Sequence, residues 1–402
     1  MAEAVLVAAG RTPIGRAFKG SLVDERPDDL TAHVVSQVLE QVPELDPHMV
    51  EDLLVGCGQP AGEGGFNLAR VVAVLAGLDD VPGVTVNRYC SSSLQTIRMA
   101  AHAIRAGEGD VFVAAGVETI SRFGAGMSDV DAAANPRFAE ARERSVRRSF
   151  EGADPWTPPA GLPDIYIAMG QTAENVAQLE GVSRSEMDEF ALRSQELAVA
   201  HQRSGFFARE IVPVTRRDGS LVDTDDGPRA DTSMQRLSSL APVFRADGTV
   251  TAGNACPLND GAAAVIVMSD VRARELGIRP RARIVASGLS GLNPEIMGLG
   301  PIEASRQALA RAHLTMKDID LVEINEAFAA QVLPSARHLG VPLEKLNIRG
   351  GAIALGHPFG MTGARIMTTL LHSLEESGLR YGLETMCVGG GQGMAMIIER
   401  LD

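Results

Sequence analysis

With 402 residues, 45% of them hydrophobic and only 4% aromatic, the chain is long enough to bury a full core and to divide into two or three compact units. A formal charge of −14 excludes nucleic acid as the main partner, so a bound anion must be met by local arginines and helix termini. The 42 glycines, set among many Ala and Val residues, point to closely packed α/β layers rather than a helical bundle.

In chain order, the spacing of apolar residues predicts a strand from Ala4 to Ala8, a helix from Leu30 to Gln41, a strand from Asp52 to Gly56 and a helix from Asn67 to Ala76. A strand at Val84 to Asn87, a helix from Ser91 to Ala106 and a strand from Val111 to Ala115 continue the rhythm. Such βαβα alternation predicts a largely parallel sheet covered by helices on both faces.

The middle, about Glu118 to Asp247, is more polar and Pro-rich, with helices expected from Gln171 to Gln178 and from Ser183 to Gly205. It reads as an insertion lying over the sheet. Within it Arg137, Arg142, Arg144, Arg147 and Arg148 alternate with Glu140, Glu143 and Glu151, as on a solvated helix face with internal ion pairs. After Val250 the opening order returns. Asp318 to Ile324 corresponds to Asp52 to Gly56, and Leu346 to Gly350, followed by a helix from Gly360, to Val84 to Asn87 and its helix. Thr385 to Val388 parallels Val111 to Ala115, so topology repeats although residue identity is low.

The four cysteines, Cys57, Cys90, Cys256 and Cys387, form no C-x-x-C pair and no Cys/His cluster at ligand spacing, so no metal site is expected. Met1 to Gly20 carries Arg11, Arg16 and Lys19 and no apolar signal core, and no apolar run reaches the roughly 18–20 residues of a membrane span. Reduced thiols in the cytoplasm are the expectation.

Chemistry concentrates where strands give way to helices or turns, the positions at which α/β sheets build sites. Cys90, in Asn87-Arg88-Tyr89-Cys90-Ser91-Ser92-Ser93-Leu94, stands at the start of a helix, where free amides and the macrodipole favour thiolate over thiol. Such a cysteine is expected to titrate at about 3.5–7.5, against about 8.5 for a free thiol. His357 sits on a rigid turn in Gly356-His357-Pro358-Phe359-Gly360, well placed as a base, whereas His102, His201 and His338 lie in helical stretches as packing or surface residues. Cys387 opens Gly389-Gly390-Gly391-Gln392-Gly393, whose amides can converge on one oxygen. Asn325, after the strand ending at Ile324, can hold a water or a carbonyl. No P-loop or dinucleotide glycine pattern is present, which disfavours phosphoryl transfer and hydride chemistry.

Together with Arg11-Thr12-Pro13-Ile14-Gly15, Gly170 to Asn175, Thr251 to Asn254, Asn259 to Ala263 and Gly350 to Arg365, these segments resemble the thiolase family almost end to end. The family makes or cleaves the carbon–carbon bond of 3-ketoacyl-CoA. The resemblance implies two similar mixed-sheet βαβαβ halves layered with helices, plus an inserted loop domain that binds coenzyme A. The halves fall at 1–120, completed by about 248–272, and at 273–402, with the loop domain at 121–247. By the same resemblance Cys90 is the acyl-accepting nucleophile, His357 its base, Cys387 the acid and base at the α-carbon, Asn325 the holder of a water, and Gly389 with Cys90 the oxyanion donors. Met169, Arg229 and Cys256 align with coenzyme A contacts. CoA thioesters are then substrates and no resident cofactor is needed.

Five residues depart from the family pattern: Ser93 replaces Gly, Ala168 replaces a His of short-chain biosynthetic members, Cys256-Pro257 replaces Ser-Gly, and Phe359 replaces a smaller aliphatic residue. The missing histidine favours degradation of 3-ketoacyl-CoA, as in β-oxidation, over acetoacetyl-CoA synthesis. A condensing ketosynthase lacks a second cysteine such as Cys387, and a non-catalytic acyl-CoA or lipid carrier would lack Cys90 or His357. A homodimer or homotetramer is expected, with membership of a β-oxidation complex left open.

Overall fold

The computed structural model describes residues 2–150 and 155–401. Its strands are β1 (Ala4–Arg11), β2 (Gly15–Arg16), β3 (Asp52–Cys57), β4 (Gly83–Val86), β5 (Val111–Thr119), β6 (Val214–Thr215) and β7 (Leu221–Val222). They continue with β8 (Asn259–Ser269), β9 (Ala282–Gly291), β10 (Leu321–Ile324), β11 (Tyr381–Val388) and β12 (Gln392–Arg400). The helices are α1 (Pro27–Glu40), α2 (Leu68–Leu75), α3 (Ser92–Ala106), α4 (Ala139–Phe150), α5 (Met169–Glu180) and α6 (Arg184–Arg203). After them come α7 (Met234–Ser238), α8 (Asp270–Glu275), α9 (Gly300–Ala312), α10 (Ala329–Leu339), α11 (Ala352–Leu355) and α12 (Thr362–Ser377).

The main sheet runs β10-β11-β12-β9-β1-β8-β5-β3-β4, with β2 pairing β8. Only β3 with β4, β3 with β5, and β10 with β11 are parallel. The sheet is mixed, as the family resemblance implies and not largely parallel as the βαβα rhythm alone predicts, because β11 and β12 form a hairpin across Gly389–Gly391 and β8 returns antiparallel between β1 and β5. The repeat read from sequence is present strand for strand. β1, β8, β5, β3 and β4 have the pairing directions of β9, β12, β11, β10 and Leu346, and the two sets meet where β1 pairs β9 at Val5 and Leu6.

Leu346 to Gly350 is not the expected strand. A single bridge joins Leu346 to Val322, because Asn347 turns left-handed at φ 44° and its side-chain amide bonds the Ile324 N–H and C=O at 2.9 Å each. A side chain replaces the extended backbone there.

Three apolar cores hold the layers. One lies on the face shared by both sets of strands, where Leu94, Ile97 and Ile104 of α3 pack with Ile366, Leu370 and Leu374 of α12. The opposite faces are covered by α1 and α2 on one set and by α9 and α10 on the other. α3 and α12 cross so closely that a Cβ on Gly363 would lie 2.3 Å from the Leu94 nitrogen, which only glycine tolerates.

The inserted segment contains α4 to α7, and α6 opens on a capping box in which Ser183 and Glu186 satisfy each other's backbone N–H groups. Arg142 and Arg144 of α4 pair outside the helix rather than within it as expected. Arg142 reaches Asp131 at 2.7 Å and Arg144 reaches Glu295, so the helix is tied to neighbouring segments; Glu151 lies outside the described residues.

Arg11 joins the insertion to the sheet. Wholly buried at the end of β1, it donates from Nε to Glu210 at 2.8 Å and as a fork to Asp225 at 2.7 and 2.9 Å. Thr369 of α12 donates to the same Glu210 at 3.0 Å. Arg11→Met is expected to cost about 3–5 kcal/mol, because two carboxylates would be left buried and unpaired. The urea midpoint measures this, with the triple variant that also replaces Glu210 and Asp225 recovering part of the loss.

Candidate active site

β4 ends at Val86 and the chain must turn sharply to enter α3. It does so by putting Tyr89 at φ 43°, a strained conformation for an aromatic residue. Asn87 Oδ1 accepts the Tyr89 N–H at 2.8 Å, and the Ser92 hydroxyl both accepts from Arg88 N–H at 2.9 Å and donates to Tyr89 C=O at 2.7 Å. This elbow leaves Cys90 partly exposed, and Gly389 closes on it, a Cβ built on that glycine standing 3.5 Å from the Tyr89 ring, so that the Gly389 and Cys90 amides favour the charged form of the sulfur. Cys90 and Gly389 thus meet.

Burial nevertheless pushes the Cys90 thiol up to about 11 against those two donors. The expected low-pKa thiolate is corrected: loss of water outweighs the helix terminus, and the resting group is a thiol. Cys387, fully buried at the end of β11, is pushed well above the ordinary thiol range by burial and then by Cys90 and Cys256. Cys256, whose N–H donates to Ala327 C=O at 3.0 Å, is raised by burial and then by Cys90. Three of the four thiols therefore share one electrostatic neighbourhood.

His357 and Asn325 are also brought together, Asn325 Nδ2 lying 3.3 Å from His357 Nε2. The tautomer follows from Thr362. Its hydroxyl donates to Pro358 C=O at 2.7 Å, so at 2.6 Å from His357 Nδ1 it must accept, which leaves Nε2 as the unprotonated nitrogen. Burial, then Arg365, lowers His357 to about 3, so the ring is neutral. Asn325 Oδ1 is buried without a partner among the described residues, as suits an atom that holds a water or a ligand.

Glu118 and Thr362 were not singled out from sequence. Glu118, next to last in β5 and beside Cys57, is nearly inaccessible and accepts N–H groups from Gly58 at 2.8 Å, Gln59 at 3.2 Å and Gly360 at 2.9 Å. It fixes the loop after β3 to the loop that carries His357, and burial raises it to about 7. The available signal was an ionisable residue closing an otherwise apolar strand.

The expected coenzyme A contacts divide between two places. Arg229 and Pro257 line a cleft of about 300 Å³ with Arg236, Leu237, Leu240 and Gly253. Met169 lies instead at Gly389, its sulfur 3.8 Å from where a Cβ on that glycine would stand. Ser93 is absorbed structurally, accepting Ala364 N–H at 2.9 Å, and the Phe359 ring stands edge-on to His357 at 5.3 Å.

Two family models, the thiolase N-terminal domain over residues 4–271 and the thiolase C-terminal domain over residues 278–400, match this chain. The chain belongs to the thiolase family. It is 45% identical to a 3-ketoacyl-CoA thiolase of Aeromonas salmonicida and 45% identical to a 3-oxoadipyl-CoA/3-oxo-5,6-dehydrosuberyl-CoA thiolase of Escherichia coli, each alignment covering both chains completely. The crystal structure of a Bacillus anthracis acetyl-CoA acetyltransferase superposes with a TM-score of 0.86 at 39% identity, covering 100% of this chain and 99% of the other. As a thiolase the protein is an acyltransferase.

A thiol raised to about 11 makes a specific pH dependence. Alkylation of Cys90 by iodoacetamide should climb about tenfold per pH unit from 7 to 10 without levelling. A plateau near pH 8, followed by mass spectrometry of the Cys90 peptide, would mean that the amide donors prevail over burial.

Proposed function

We propose that this thiolase cleaves 3-ketoacyl-CoA to acetyl-CoA and a shortened acyl-CoA, through an acyl-Cys90 intermediate, with degradation as its working direction. The observation that carries the proposal is the convergence of Gly389 on the Cys90 sulfur, with Cys387 in the same neighbourhood. Cys90 attacks the 3-keto carbon and His357 Nε2 takes the thiol proton. Burial raises the thiol and lowers the imidazole, so both rest neutral and the proton passes to His357 Nε2 as Cys90 attacks. The amides of Cys90 and Gly389 meet the tetrahedral oxyanion, each such donor being worth about 2.7–4 kcal/mol.

The acetyl-CoA enolate that leaves is protonated at carbon by Cys387, whose raised pKa keeps its proton available. Asn325, through a water, and His357 meet the enolate oxygen. Coenzyme A then enters, its thiol gives its proton to the Cys387 thiolate and attacks the acyl-Cys90 thioester, and the expelled Cys90 thiolate takes back the proton held by His357. Two thiols are required because one is esterified while the other moves a proton. Arg229 is assigned to the nucleotide of coenzyme A, supported by the cleft it lines with Pro257, and Met169 and Cys256 to the pantetheine arm, Met169 standing beside Gly389.

The degradative direction draws on Ala168 in place of the biosynthetic histidine and on relatives named 3-ketoacyl-CoA and β-ketoadipyl-CoA thiolases. Acetoacetyl-CoA synthesis is the second reading, favoured by the structural neighbour described as an acetyl-CoA acetyltransferase. The proposal includes the three-part organisation at 1–120 with 248–272, 121–247 and 273–402. It also has the chain working in the cytoplasm as a homodimer or homotetramer, with membership of a β-oxidation complex left open. Among the described residues no helix is long and apolar enough to cross a membrane.

Thiolysis of 3-ketoacyl-CoA substrates of increasing chain length tests the assignment. Cys90→Ala should lower turnover by about 10³-fold or more and abolish the acyl-enzyme mass shift. Cys387→Ala should still be acylated by acyl-CoA yet fail to exchange the α-proton of acetyl-CoA in D₂O. Normal turnover in either variant would remove that thiol from the mechanism, and an optimum confined to acetoacetyl-CoA would favour the biosynthetic reading.

A further inference from the structure

The turn that carries Gly389 has little of its own to hold it still. Gly390 and Gly391 stand at φ 77° and 78°, and no side chain of the turn packs until Gln392, which pairs with Val388 across the β11–β12 hairpin. Gly391 is fixed by its carbonyl, which accepts Leu292 N–H at 2.8 Å, and by the wall at Leu292 C=O, 2.3 Å from a Cβ built there. The other end needs a separate restraint, because a glycine backbone free to turn would swing the Gly389 amide off the Cys90 sulfur.

That restraint is a chain of side-chain bonds. Gln392 Nε2 donates back to the Gly389 carbonyl at 3.2 Å, and Gln392 Oε1 accepts from Arg88 Nη1 at 2.9 Å. Arg88 Nε donates to Gln95 Oε1 on α3 at 3.1 Å, while Arg88 N–H is held by Ser92. The guanidinium is half-buried and its partners here are amide oxygens. An ion there gains less than it would from a carboxylate, but its planar fork sets two amides at fixed angles. Arg88 and Gln95 belong to the Cys90 elbow and helix, and Gln392 to the hairpin.

We propose that Arg88 and Gln392 are positioning residues that lock the Gly389 turn onto the nucleophile elbow, so that the oxyanion donors and Cys90 are set as one rigid unit across the two halves of the sheet. Arg88 orients Gln392, leaving Gln392 Nε2 as the donor that holds Gly389. The inference rests on Gly389 being an oxyanion donor in the proposed function and adds what keeps it in place.

Steady-state thiolysis and the pH profile of Cys90 alkylation test it, beginning with the wild-type enzyme. Absence of thiolysis by the wild type would overturn the functional reading itself, and with it this inference. Given an active wild type, Gln392→Met should lower kcat about 10- to 100-fold with KM changed by less than about threefold, the signature of a misplaced transition-state donor. Its alkylation profile should move to higher pH, because the sulfur loses an amide that favours the charged form.

Gln392→Glu separates positioning from support. It keeps the acceptor for Arg88 and removes the donor to Gly389, so it should match Gln392→Met in kcat while melting like the wild type. Arg88→Gln should fall in the same direction, and in the Gln392→Met background it should cost less than about a further twofold, since it acts through the glutamine. If Arg88→Gln does not fold, the two Gln392 variants decide alone. A Gln392→Glu enzyme with wild-type kcat and an unmoved alkylation profile overturns the proposal, as do independent, multiplying losses in the double variant.

Discussion

Gly389 against the Cys90 elbow, where a Cβ built on it would stand 3.5 Å from the Tyr89 ring, joins the first and second halves of the chain, and it stands there only because a helix entry and a hairpin turn end at the same point in space. Everything around it serves that approach. α3 and α12 share one core and cross tightly at Gly363, which sets the two strand sets at a fixed separation. Glu118 then gathers three backbone N–H groups from two loops, one of which carries His357, and so fixes the base relative to the elbow without touching it.

Burial acts on every titratable group of the site in the same sense. It drives Cys90 up to about 11 and Glu118 to about 7, and it drives His357 down to about 3. The common effect is a site that rests close to neutral. Charge then develops during reaction, where amide donors held in a dry pocket act more strongly than they would in water. A resting thiolate would spend the same donors on the ground state. The correction to Cys90 therefore suits a site in which proton transfer accompanies attack.

Much of this was legible from residues taken one at a time. The elbow after Val86, the glycine run after Cys387, the Pro-flanked His357 and the strand-end Asn325 were all visible as chemistry at strand termini, and the repeat of strands was visible in their order. Glu118 was not, because a lone glutamate after an apolar strand does not announce that three amides from distant loops will close on it. Thr362 was hidden for a similar reason: its hydroxyl sets the His357 tautomer only because Pro358 C=O takes its proton. The segment at Leu346 misled because its apolar residues suit a strand, while Asn347 supplies a local side-chain alternative to extended backbone.

By itself the sequence determined the element order, the family and the residue types able to do acyl transfer, because periodicity, turn chemistry and the run of glycines are local properties carried by neighbours in the chain. Tertiary structure alone decided that Leu346 to Gly350 is not a strand, that burial raises the thiols, and that Arg88 and Gln392 form one bridge. Solvent exclusion and long-range hydrogen bonds depend on which segments meet, and that information is spread over the whole fold.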